Sequence, residues 1–319
     1  MHPTGMAAGF VEDVRAGLSA APKGLEPRYL YDALGSQLFE AICRLPWYPL
    51  TRAENALLAR HAAEMVASLG DAPTLVELGC GSGEKLARLC EPLRARGARL
   101  RVHLIDISEA ALELSARTLS RLGPVELTGH RATYDQGLAQ AAARRVPGAR
   151  MLVLFLGSNI GNLDAEQAVT LLSAVRRALL PGDALLLGAD LVKPEADLLR
   201  AYDDPLGVTA AFNKNLLVRM NRELGADFEL GAFDHQARWN AEASRVEMHL
   251  VSRKPQRVRI PGAELEIDLA EGESIWTESS YKYTPESIDR LAERAGLRCR
   301  AQWVEPRDRF ATSLLAVEG

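Results

Sequence analysis

The chain has 319 residues, 47% hydrophobic and 25% charged, with a formal net charge of -4 and a pI of about 6.0. That length buries a full core in one large or two medium domains, and that charge argues against a general affinity for nucleic acid or acidic membrane. No apolar run approaches the ~20 residues of a membrane helix, the start Met1–Met6 lacks the basic and apolar parts of a signal peptide, and four scattered cysteines and six dispersed histidines give no Cys-x-x-Cys pair and no metal centre, so a reduced cytoplasmic protein is expected.

In chain order, residues 1 to 51 come first, an aromatic block with Tyr29, Tyr31, Phe39, Trp47 and Tyr48 that continues no βαβ unit. Strand-like apolar runs follow at Thr74–Leu78, Arg101–Asp106, Met151–Gly157 and Ala184–Asp190. Helix-like segments lie between them at Glu84–Arg94, Glu109–Leu122 and Ala165–Leu180, and the alanine-rich Ala139–Arg145 also reads as helix. Strands alternating with helices predict βαβ units and a mostly parallel sheet. Past residue 194 the alternation stops: a helical stretch runs through Tyr202 to Leu224, then strand-like segments at Ser244–Arg253, Glu264–Leu269 and around Trp276. From Pro285 a helix and two apolar runs, Cys299–Val304 and Ala311–Val317, read as the end of the α/β sheet. The expected arrangement is discontinuous. Residues 52–193 plus 282–319 form the α/β core, and 1–51 plus 194–281 form a second domain.

The first apolar run ends in Glu77-Leu78-Gly79-Cys80-Gly81-Ser82-Gly83 before an amphipathic helix. Glycine takes positive φ and lets a ligand approach the main chain. Asp106 ends the next strand, placed to accept hydrogen bonds from a ribose. Parallel sheets bind ligands at the carboxyl ends of their strands, where Gly79, Asp106 and Gly157 would gather. The turn lacks the Gly-x-Gly-x-x-Gly spacing of nicotinamide binders, because position 84 is Glu. Lys85 alone reads as a solvated helix residue, Asn162 as a turn residue and Tyr202 as a half-buried helix aromatic.

Several phrases resemble one family. They are Tyr31-Asp32-Ala33-Leu34-Gly35-Ser36-x-Leu38-Phe39, Leu45-Pro46-x-Tyr48-x-x-Thr51-Arg52 and Phe155-Leu156-Gly157-Ser158-Asn159-Ile160-Gly161-Asn162, then Ala201 to Asn213 and Thr277-Glu278-x-Ser280. In that order the chain resembles the S-adenosylmethionine-dependent histidine Nα-methyltransferases of ergothioneine biosynthesis, from about residue 20 onward. The resemblance implies a Rossmann-type class I methyltransferase core with a family-specific substrate-binding domain. The expected reaction is trimethylation of the α-amino nitrogen of histidine, and a monomer without metal is expected. It places S-adenosylmethionine on Gly79, Gly81, Lys85 and Asp106, with Thr133 and Tyr134 at the adenine. Asn162 and Tyr202 would take the α-carboxylate, Glu278 and Ser280 the imidazole nitrogens, and Met248 a wall of the pocket. Tyr31 and Tyr48 would line the amino group, where aromatic faces tolerate a methylated cation. The proton lost between transfers would go to Tyr31, taken as the catalytic candidate, to water or to bulk solvent. Cys80, Gly83, Trp47 and Pro49 depart from the family pattern. Two rivals are a methyltransferase for tryptophan or a derivative, and a non-catalytic nucleoside-binding protein. Indole offers one N–H and no acceptor, so it leaves Glu278 and Ser280 unexplained.

Overall fold

A computed structural model describes residues 4–317; the first three and last two residues, including part of the start read against a signal peptide, lie outside the described residues. The chain forms two compact units, Met1–Pro49 with Lys193–Ser280 and Leu50–Val192 with Tyr281–Gly319. The changes of unit fall at 49/50, 192/193 and 280/281, against 51/52, 193/194 and 281/282 expected from sequence.

The first unit begins with α1 (Thr4–Ser19), a short strand β1 (Lys23–Gly24) and α2 (Ala33–Ile42). The second follows with α3 (Leu50–Met65), β2 (Thr74–Leu78), α4 (Glu84–Ala95), β3 (Arg101–Asp106), α5 (Glu109–Ser120) and β4 (Glu126–Arg131). It continues through α6 (Tyr134–Ala143), β5 (Met151–Phe155), α7 (Ala165–Ala178) and β6 (Ala184–Asp190). The first unit resumes with α8 (Glu195–Tyr202), α9 (Val208–Leu224), β7 (Phe233–Asn240), β8 (Arg245–Ser252), β9 (Gln256–Ile260), β10 (Leu265–Leu269) and β11 (Ser274–Tyr281). The second closes with α10 (Pro285–Arg294), β12 (Arg298–Glu305) and β13 (Phe310–Ala316).

The second unit is an α/β layer fold on a seven-stranded sheet of order β12-β13-β6-β5-β2-β3-β4. Strands β4, β3, β2, β5 and β6 run parallel, and β13 runs antiparallel to both β6 and β12. This is the Rossmann-type methyltransferase arrangement with its closing antiparallel hairpin. Every residue of β2, β5 and β6 is buried, because helices cover both faces of a parallel sheet. Alternate side chains feed two cores: Val76, Leu78, Val153 and Phe155 on one face, Leu75, Leu152 and Leu154 on the other. Strand order reverses between β2 and β5, and a ligand crevice belongs at the carboxyl ends beside that switch. Strand β4 was not read from sequence. As an edge strand, Glu-Leu-Thr-Gly-His-Arg buries only His130 fully and lacks an apolar run.

In the first unit one sheet has the order β1-β11-β8-β7, and β9 and β10 form a separate hairpin. Strand β7 alternates buried and exposed residues but carries Asp234, Gln236 and Arg238 outward, so it shows little apolar signal. Helix α2 is capped by Asp32, whose carboxylate accepts from Gly35 N at 2.8 Å and from the Asn215 amide of α9 at 2.7 Å. A Cβ on Gly35 would run into the Leu30 carbonyl, which is why this contact takes glycine.

Candidate active site

In the second unit the turn after β2 has Gly79, Gly81 and Gly83 at φ of 75°, 48° and 74°, backbone that only glycine takes without strain. A Cβ on Gly79 would stand 3.0 Å from Asn159 Nδ2 and 3.2 Å from the Tyr134 hydroxyl, whereas one on Gly81 would meet nothing within 4 Å. The turn is thus closed beneath Gly79 and open above Gly81. Asp106, at the end of β3, accepts from Ser108 N at 2.9 Å and from Gly81 N at 3.5 Å. Burial raises its pKa, while backbone N–H groups, Ser108 first, pull the other way. Ser108 itself caps α5, accepting from Ala111 N at 3.3 Å, so Asp106 is not needed as a cap.

Lys85 does not stand in solvent. Its Nζ lies 2.5 Å from Oε2 of Glu54, a wholly buried carboxylate on α3. Glu54 also accepts from Gly157 N at 2.9 and 3.0 Å. Gly157 has φ 77°, and a Cβ there would lie 3.1 Å from Lys85 Nζ. Glu77 is buried on β2, and loss of hydration pushes its pKa up to about 8, with Lys85 opposing and Glu54 and Asp106 adding to the rise. Its Oε2 has no hydrogen-bond partner. Thr133 and Tyr134 part company. Thr133 is exposed and its hydroxyl donates to Asp135 at 2.6 Å, while Tyr134 turns onto Gly79 and meets Phe155 edge-on at 5.2 Å. Asn162 ends a single 3-10 turn, Asn159–Asn162, that follows Ser158 at φ 59°. These residues fit S-adenosylmethionine: the open glycine main chain admits the cofactor, and Asp106 retains lone pairs for a ribose diol.

The first unit holds a run of packed aromatic rings. Tyr31 packs edge-on against Phe39 and Phe212, both with centroids at 5.4 Å. Phe39 continues to Tyr48 at 6.4 Å, and Tyr48 to Tyr202 at 6.1 Å. Tyr48 is buried, and lost hydration raises its pKa well above that of a free phenol. On β11 the buried Glu278 and Ser280, two residues apart, share a face, and Met248 on β8 is also buried. The sequence assigns Tyr202 and Ser280 to opposite ends of a substrate. Their hydroxyls, however, meet at 2.7 Å, so the two act as one hydrogen-bonding unit. Asn162, which the sequence pairs with Tyr202, belongs to the other unit.

Sequence reasoning missed a buried relay behind this face. Thr277 donates to Asn213 Oδ1 at 2.6 Å, Asn213 Nδ2 meets His235 Nδ1 at 2.9 Å, and His235 Nε2 meets the Tyr202 carbonyl at 2.7 Å. Asn213 and Thr277 stood inside recognised phrases without a role; His235 lay on the unread β7. Glu54 and Glu77 were missed too. Both carried a legible signal, an acid in an otherwise apolar pattern. Glu54 falls on the buried stripe Leu50, Ala53, Leu57, Leu58, and Glu77 sits in a strand buried on both faces. Among the described residues, no group of three or more His, Cys, Asp or Glu is placed to hold a metal ion, and no helix is long and apolar enough to cross a membrane.

A family model described as histidine-specific methyltransferase, SAM-dependent, matches residues 10–317. The chain is 44% identical over 304 residues to a protein named histidine N-alpha-methyltransferase from Mycolicibacterium smegmatis, covering 95% of this chain and 93% of that one. Against the protein of the same name from Mycobacterium tuberculosis it is 43% identical over 305 residues, covering 95% and 94%. It is 31% identical over 288 residues to ergothioneine biosynthesis protein 1 of Neurospora crassa, covering 88% of this chain and 32% of that longer one. By the family model that spans residues 10–317 and by these two relatives, the chain belongs to the S-adenosylmethionine-dependent, histidine-specific methyltransferases.

Proposed function

We propose that this enzyme transfers three methyl groups in turn to the α-amino nitrogen of L-histidine, giving hercynine in the ergothioneine pathway. The observation that carries the reading is the buried polar face of β11. Glu278 and Ser280 are 8% and 4% exposed, and Ser280 meets the Tyr202 hydroxyl. Buried polar groups discriminate strongly, because a ligand that cannot pair them leaves them orphaned. Neutral imidazole offers one donor and one acceptor, which Glu278 and Ser280 answer. Met248 closes the wall beside the ring.

S-adenosylmethionine, when bound, supplies an electrophilic methyl group on a positively charged sulfur. In the second unit, Gly79 and Gly81 expose their main chain to it, Asp106 accepts from the ribose hydroxyls, and Lys85 holds its tail. Thr133 and Tyr134 are assigned to the adenine side, and Tyr134 reaches the turn from beneath. Asn162 and Tyr202 orient the α-carboxylate through neutral donors. Tyr31 and Tyr48 flank the amino group with aromatic faces that suit both the free amine and its methylated cation. The amine must be neutral to attack, so positioning and exclusion of water supply most of the rate. Tyr31 is the side chain assigned to the proton lost between transfers.

We also assign the enzyme to the cytoplasm, as a monomer with a small-molecule partner only; four scattered cysteines without a Cys-x-x-Cys pair suit a reducing compartment. Incubation with labelled cofactor and each of the twenty amino acids, followed by mass spectrometry, tests the reaction. Trimethylated histidine is expected, with dimethylhistidine accepted as an intermediate. A monomethyl product only, ring-nitrogen methylation, or preference for tryptophan would overturn it.

A further inference from the structure

We infer that Glu54 is a positioning residue for the cofactor: its buried carboxylate fixes Lys85 on α4 and the Gly157 amide after β5 in one arrangement at the carboxyl edge of the sheet. The inference rests on the proposed placement of S-adenosylmethionine in this unit.

Four observations converge. Glu54 is wholly buried, yet it lies on a helix whose neighbouring inward residues, Ala53, Leu57 and Leu58, are apolar. Unpaired, a carboxylate in such a place would be strongly disfavoured, so its partners must define its role. Those partners are not structural fillers. One oxygen lies 2.5 Å from Lys85 Nζ. Both oxygens accept from Gly157 N, at 2.9 and 3.0 Å. The sheet is also shaped to admit the carboxylate: β6 carries Gly188, where a Cβ would run into Glu54 and lie 3.3 Å from the Phe310 ring. The Glu54 side chain thus joins α3, α4, β6 and the end of β5 at one point.

The chemistry explains why a charged tie suits this place. Gly157 needs positive φ and stands against Lys85 with room for no side chain, so its peptide has no side-chain contacts of its own to fix it. A charge-assisted hydrogen bond supplies that constraint. Lys85 carries its ammonium on one long flexible stem, and pairing it with Glu54 aims that charge. Replacing Glu54 with Gln removes the charge from both contacts at once.

Binding of S-adenosylmethionine to the wild type, Glu54→Gln and Asp106→Ala is measured by calorimetry, with separate KM values for cofactor and histidine. Glu54→Gln is expected to weaken the cofactor by about ten- to a hundredfold and to raise its KM, leaving the histidine KM within about threefold. Because Glu54→Gln removes the carboxylate that faces the Lys85 ammonium, the double variant Glu54→Gln with Lys85→Met is made as well. It removes both charges, keeps the shape and is expected to fold while still binding the cofactor weakly. Wild-type cofactor affinity in folded Glu54→Gln, or in the double variant, would overturn the inference. A wild type that does not bind S-adenosylmethionine, or an Asp106→Ala that binds it unchanged, would instead overturn the placement on which it rests.

Discussion

At the scale of single residues, the site separates groups that hold charge from groups that read shape. Asp106 is partly buried and tied to the turn by two backbone N–H groups, so it is held in place with acceptor capacity left over. Asp106→Ala is expected to weaken the cofactor about ten- to a hundredfold while histidine affinity changes little, measured by calorimetry. Glu278 is the residue expected to select imidazole. Glu278→Ala should lower kcat/KM for histidine steeply, because a ring nitrogen then loses its partner in a dry site. Combining it with Met248→Val should shift the ratio of kcat/KM values toward tryptophan. A ratio that does not move would place the imidazole elsewhere. The Tyr202–Ser280 contact adds a further expectation that sequence did not supply. Ser280→Ala should disturb Tyr202 as well, so both single variants and the double variant should lose similar activity.

At the scale of elements, the question is what holds β11 at the right depth. Asn213 on α9 takes the Thr277 hydroxyl on its oxygen and meets His235 of β7 and the His249 carbonyl of β8 with its nitrogen. His235 completes the relay at the Tyr202 carbonyl, the last residue of α8. One buried amide therefore ties two helices and three strands behind the Glu278 face. Asn213→Ala leaves several buried partners unpaired. It is expected to cost about 1–3 kcal/mol in denaturant unfolding and to raise the KM for histidine more than that for the cofactor. The relay also defines a tautomer. Thr277 donates to Asn213 Oδ1, so Asn213 Nδ2 faces His235 Nδ1 as a donor, and His235 carries its proton on Nε2. A second proton on Nδ1 would meet that donor, in keeping with a pKa lowered first by burial, although Asp203 and Asp204 favour the charge and Lys214 opposes it.

At the scale of the whole molecule, buried titratable groups set how stability follows pH. Burial lowers the pKa of His103 to about 4 from 6.5, with His130 and Arg144 adding to the fall and Glu126 opposing it. A depressed histidine contributes stability above 6.5 that is lost as pH falls toward about 4. Glu77 works in the other direction. Raised from 4.5 to about 8, it contributes stability at low pH that is lost as pH rises through that window. Denaturant unfolding from pH 4.5 to 8.5 should therefore show a broad maximum, and Glu77→Gln should remove the alkaline decline while leaving the acid one. An alkaline decline kept in Glu77→Gln would assign it to another group. Much of this molecule was legible along the chain. The glycine turn, Asp106 and the alternating strands announce themselves because backbone conformation and two-sided burial are local demands that residue type must meet. Edge strands β4 and β7 were illegible, since a strand with one wet face needs no apolar run. The partners of Glu54, the relay through Asn213 and the meeting of Tyr202 with Ser280 were decided only by tertiary structure. Each joins residues far apart in sequence, and a buried polar side chain shows along the chain that it needs a partner but not which one the fold brings to it.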